Sequence, residues 1–123
     1  MSRCYIGSRP LREDRNDCAV RALFVATWIP RREIRRELAR RGRRRHAPVD
    51  VFTTFAETAE TMGGEMWTPP RPMSLRRFIR GPGARGAWVL FSDSAKHMFA
   101  TRDGVVHDWS YHPGRRIDCA WRF

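Results

Sequence analysis

Three residues, in the order thiol, imidazole, carboxylate, carry the chemistry that this chain can do. Cys18 follows Asn16-Asp17, where a polar, charged stretch gives way to the largely apolar run from Ala19 to Ile29. A cysteine there opens a helix, among backbone N–H groups that lack intrahelical acceptors and favour a thiolate. Much later, the stretch from Lys96 to Asp108 carries His97 and Asp108 on either side of Asp103-Gly104, a strong signal for a two-residue hairpin turn. If Asp103-Gly104 is the turn, Arg102 opposes Val105, Phe99 opposes Asp108 and His97 opposes Ser110. His97 and Asp108 then share a face as diagonal neighbours, with Cα atoms roughly 7–8 Å apart. A thiol needs deprotonation to become a nucleophile, an imidazole can take its proton, and a carboxylate can fix the imidazole's tautomer. Nucleophilic acyl transfer is the chemistry that these three types perform together. An oxyanion hole completes it, with the Cys18 backbone N–H and the Asn16 side chain as candidate donors.

The elements that must position these groups are legible in outline. Residues 1–16, with Gly7, Pro10 and several charges, read as an extended or irregular lead-in. Asn16 or Asp17 can cap the helix that Cys18 opens. That helix is apolar on most sides as far as Thr27, which predicts a buried, central element. Pro30 suits the first turn of a second helix, running to about Arg41 and ended by Gly42, with a narrow stripe of Ile34 and Leu38. Glu37 and Arg41 form a favourable i,i+4 pair within it. Pro48 and Asp50 open a third helical pattern, Val51, Phe55, Ala59 and Met62, which Gly63-Gly64 stops. Trp67 to Met73, with three prolines, reads as loop. Ser74 caps a short helix through Ile79, and Gly81-Pro82-Gly83 ends it. Ala87 to Phe91 reads as a buried strand, the Asp103-Gly104 hairpin follows, and a last strand falls within Ile117 to Phe123. Helices first and antiparallel strands second predict an α+β fold, with N-terminal helices packed on a C-terminal antiparallel sheet.

Composition narrows the setting. At 123 residues the chain fits one domain with a real core. No apolar stretch is long enough to span a membrane, and the N-terminus lacks the pattern of a secretory signal, so a soluble protein made inside a cell is expected. Cys4, Cys18 and Cys119 form no close-spaced pair, which predicts reduced thiols rather than a disulfide framework. No ligand spacing suggests zinc, and no cofactor is implied. Cys119 beside His112 is a competing nucleophile that lacks a following helix start. His46, His107 and His112 read as surface or loop residues, His107 because its face is opposite to that of His97. The five tryptophans, Trp28, Trp67, Trp88, Trp109 and Trp121, read as core.

Net charge is +11, and Lys96 is the single lysine. Nine of the fifteen residues from Arg31 to Arg45 are arginine, namely Arg31, Arg32, Arg35, Arg36, Arg40, Arg41, Arg43, Arg44 and Arg45, offset only by Glu33 and Glu37. Such a stripe can hold nucleic acid through its phosphates, or an acidic protein surface. GC-rich coding produces the same bias without selection for binding, in line with the absence of glutamine and the single asparagine, Asn16, and both origins stay open.

The stretches Asp17-Cys18-Ala19-Val20-Arg21-Ala22-Leu23 and His97-Met98-Phe99-Ala100, continuing through Gly104 to Asp108, resemble the papain-like cysteine peptidase superfamily, in particular its small phage and bacterial members. The resemblance covers the two ends of the chain better than its arginine-rich middle. It implies a papain-like domain over residues 1–123, Cys18 as nucleophile, His97 as general base and Asp108 as the orienting residue. A peptide, isopeptide or related amide bond would then be cleaved through a Cys18 thioester, with a protein or peptide as substrate, in the cytoplasm of a bacterial or phage-infected cell. The alternative is a catalytically inactive protein of the same fold that binds through its arginines. Lys96 and Trp28 stand where such relatives commonly carry glycine, and Arg12 stands where they commonly carry the oxyanion-hole glutamine, which leaves Asn16 or Arg12 for that role.

Overall fold

A computed structural model describes residues 5–7, 18–43, 50–93, 96–108 and 111–123. The chain is an α+β fold in which a six-stranded, mainly antiparallel sheet carries helices on both faces. Its strands are β1 (Tyr5–Gly7), β2 (Glu65–Trp67), β4 (Ala87–Ser92), β5 (His97–Arg102), β6 (Val105–Asp108) and β8 (Cys119–Arg122), in the spatial order β1-β6-β5-β4-β8-β2. A separate two-stranded pair joins β3 (Met73–Ser74) to β7 (Arg116–Ile117). The longer helices are α1 (Cys18–Thr27) and α2 (Arg31–Arg40), followed by the shorter α3 (Ala56–Thr61) and α4 (Leu75–Arg80).

β4 is buried along its whole length, because alternate side chains feed two separate cores. Val89 and Phe91 pack with Ala19, Val20, Leu23, Ile34, Leu38 and Trp121 beneath α1 to α3. Trp88 and Leu90 pack with Phe78, Phe99, Val106 and Ile117 on the opposite side, against α4. α2 shows how little apolar surface suffices to seat a helix. Only Ile34 and Leu38 are buried in it, one turn apart, and its arginine-rich remainder faces outward or runs along its flanks.

Several local features follow directly from residue chemistry. Asp103 and Gly104 both adopt positive φ, 50° and 78°, as a type I′ hairpin turn requires. The Ser74 hydroxyl accepts from the Arg77 amide and caps α4. Gly42, at φ 107°, ends α2 one residue past Arg41. The third helical pattern begins as a π-helical turn, Val51–Phe55, before becoming α3. There the Asp50 carboxylate accepts from the Phe52 and Thr53 amides, while the Phe55 amide bonds to the Asp50 carbonyl five residues back.

The extended lead-in contains a strand, β1, which pairs in parallel with β6. The structure corrects three expectations. The segment from Trp67 to Met73 is not all loop, because Trp67 ends β2, paired with β8, and Met73 begins β3, paired with β7. These strands of two or three residues carry no period of their own and exist through partners remote in sequence. Trp28 lies outside the core, 57% exposed, at φ 60° immediately after α1. His107 is half-buried and lines a pocket with Cys18 and His97. Asn16, Asp17, Arg12, Arg44, Arg45, Cys4, His46, Pro48, Trp109 and Ser110 lie outside the described residues.

Candidate active site

α1 places Cys18 by lying along β5. At the far end of β5, the Arg102 guanidinium donates to the Val25 carbonyl at 2.7 Å and the Ala26 carbonyl at 3.2 Å, pinning the C-terminal turn of α1 to the end of the strand. Nine helical steps cover about 14 Å and five strand steps about 17 Å. With Arg102 fixing one end, the matched lengths bring Cys18, the first residue of α1, to His97, the first residue of β5. The Cys18 thiol lies close enough to the His97 ring to bear on its protonation, and both residues line one pocket.

The hairpin supplies the third group. Register pairs Arg102 with Val105, Thr101 with Val106 and Ala100 with His107, the alignment that the two-residue turn requires. His97 and Asp108 therefore stand at the same end of neighbouring strands, and His97 Nε2 meets Asp108 Oδ1 at 2.7 Å. Both side chains are buried, the Phe99 ring stacks on the imidazole at 5.7 Å, and Nδ1 is the ring nitrogen that Asp108 does not engage. Burial alone would lower the His97 pKa. The hydrogen bonds to Asp108 and Cys18, with the charges of both partners, outweigh it and raise the value to about 9, so the ring is an imidazolium at neutral pH.

Arg115 is a neighbour of the site that the sequence did not single out. Its Nη1 lies 3.6 Å from Asp108 Oδ2, on the side of the carboxylate away from His97, and its guanidinium stands 5.8 Å from the Phe99 ring centre. One arginine among twenty-three, without a motif around it, gives no signal in the sequence. Arg102 was equally silent, because its role depends on the packing of α1 across the sheet.

Around these groups lies a pocket of about 40 Å³, lined among others by Cys18, Arg21, Arg31, His97, His107 and Asp108. As the first residue of α1, Cys18 has a backbone N–H without an intrahelical acceptor, the kind of donor that a developing oxyanion needs. Asn16, the other candidate donor, lies outside the described residues. Burial, followed by the charge of Arg102, lowers the pKa of His107, so at neutral pH it brings a neutral ring to the pocket. Cys119 is a different kind of thiol: buried in the core, it has a pKa raised to about 11, first by desolvation and then by Asp118. His112 is exposed. Among the described residues, no group of three or more histidine, cysteine, aspartate or glutamate side chains is placed to hold a metal ion.

The arginine stripe divides by environment. Arg32 and Arg36 are exposed; Arg40 and Arg41 both bond to Glu37, at 3.1 and 2.7 Å; Arg43 is buried. Arg31 and Arg35 are half-buried on one flank of α2. Among the described residues, no helix is long and apolar enough to cross a membrane. Comparison with models of protein families, with curated proteins and with solved structures found no match for this chain.

Proposed function

We propose that the protein is a papain-like thiol hydrolase that cleaves a peptide, isopeptide or related amide bond through a Cys18 thioester. The observation that carries this reading is the chain of contacts from the Cys18 thiol to His97, from His97 Nε2 to Asp108, and on to Arg115. The Cys18 sulfur attacks the carbonyl carbon, and the carbonyl oxygen takes up negative charge against the N–H groups at the start of α1. The tetrahedral species collapses as His97 gives its proton to the departing amine, leaving the acyl group on sulfur. Water then adds to the thioester with His97 as base, and the C–S bond breaks to release the acid and restore the starting pair. Asp108 holds the ring in one orientation throughout, and Arg115 steadies Asp108.

An activated ester tests the assignment directly. With p-nitrophenyl acetate, release of p-nitrophenol is expected together with an acetyl group found by mass spectrometry on Cys18, and His97→Ala should accumulate that adduct. Release that is equally fast in Cys18→Ala, or acetylation elsewhere only, would contradict the reading. The exposure of Arg32 and Arg36, one helical turn apart, favours a second reading in which this face of α2 binds nucleic acid or an acidic protein. Binding to single- or double-stranded nucleic acid that weakens steeply with salt and is lost in a doubly substituted Arg32→Ala, Arg36→Ala protein would support it.

A further inference from the structure

The wall of the catalytic pocket carries more positive charge than the reaction uses. Arg21 and Arg31 line it, whereas among the described residues Asp108 is the single carboxylate of its lining and faces both His97 and Arg115. Arg31 is the more telling of the two arginines. Its guanidinium lies 4.3 Å from the Phe24 ring centre, which holds the planar fork in place. Its Nε is buried and has no hydrogen-bond acceptor among the described residues. The Nε of Arg35, one turn along the same flank of α2, is buried and unbonded in the same way. Two half-buried cations at i,i+4 repel each other, and an unsatisfied buried donor costs stability. Packing on Phe24 accounts for the position of the Arg31 guanidinium but leaves its charge without a counter-ion among the described residues, which an anion arriving in the pocket beside Cys18 would supply.

We propose that the substrate that acylates Cys18 carries a carboxylate, received by the Arg31 guanidinium beside the nucleophile. This rests on Cys18 being the nucleophile and deepens that reading by giving the substrate a charge. A carboxylate matches the planar fork and sets a geometry that a point charge would not. The group comes either from an acidic side chain next to the scissile bond or from a free chain terminus.

Alkylation with paired reagents tests this without knowledge of the natural substrate. Iodoacetate and iodoacetamide both lose iodide to the Cys18 sulfur and differ in carrying a carboxylate or an amide. The His97 imidazolium attracts the anionic reagent in every variant, so the contribution of Arg31 is read from the change in the ratio of the two rates. That ratio should fall about tenfold in Arg31→Gln and recover in part in Arg31→Lys. It should be unchanged in Arg80→Gln, which alters an exposed arginine at the end of α4. Because the neutral reagent monitors Cys18 within the same variant, an unchanged ratio with iodoacetamide reactivity intact would overturn the carboxylate proposal alone. A Cys18 inert to iodoacetamide in the unsubstituted protein would overturn the thiol reading and this inference with it. Protection of Cys18 by acetyl-glutamate α-amide, compared with acetyl-glutamine bearing a free α-carboxylate, identifies the source: the stronger protector carries its charge where the substrate does.

Discussion

The His97 imidazole connects the chemistry of the site to the stability of the protein. Its pKa is about 9 in the folded chain, against 6.5 for an unperturbed histidine. The folded state therefore binds this proton more tightly than the unfolded state does. The stabilisation that results is complete below about pH 6.5 and is lost as the pH rises through about 9. Removing the Asp108 charge should expose the burial that it offsets. In Asp108→Asn, the midpoint of the His97 ring protons, followed by NMR, should move down from about 9 toward or below 6.5, and urea unfolding should lose most of its His97-linked pH dependence. At this scale the sequence was generous. The Asp103-Gly104 turn fixed which residues oppose each other, and with them the shared face of His97 and Asp108. Arg115 was not legible, because nothing local marks which arginine reaches a carboxylate across the fold.

At the scale of elements, α1 and the β5–β6 hairpin do the positioning, and both end in strained backbone. Trp28 after α1 and Lys96 before β5 adopt φ 60° and 48°. Glycine is the residue that enters this region without a Cβ penalty. Lys96 is exposed, and its ion pair with Asp93 is exposed too, so little is lost by removing the side chain. Lys96→Gly should raise stability by about 0.5–1 kcal/mol in urea titration, the strain relieved outweighing the added freedom of the unfolded chain. Arg102 has the opposite sign. Arg102→Ala frees the last carbonyls of α1 and should cost about 1–2 kcal/mol, and it should also slow Cys18 alkylation, since the helix loses the contact that sets its position along β5. α1, α2, α4, β4 and the hairpin were readable because apolar spacing, caps and turn residues agreed along them. β1, β2, β3 and β7 were not, since a strand of two or three residues contains too little pattern to declare itself.

The whole molecule is a device for closing sequence distance. Cys18 lies near one end of the chain and His97 and Asp108 near the other, and they meet because β5, next to β4 in the sheet, carries α1 across its face. The order of the strands could not be read from the sequence, since which strands become neighbours is decided by burial on both faces of β4 at once. The two cores therefore support a single site, and assembly of that site should be visible in the reactivity of one thiol. The rate of alkylation by iodoacetamide, followed residue by residue at pH 7 in the folded and the urea-unfolded protein, measures this most directly. The folded protein should modify Cys18 much faster than Cys119, whose thiol is buried with a pKa near 11, and that advantage should vanish on unfolding and shrink in His97→Ala. A folded protein in which Cys18 reacts no faster than Cys119, or in which His97→Ala leaves its rate unchanged, would contradict the account.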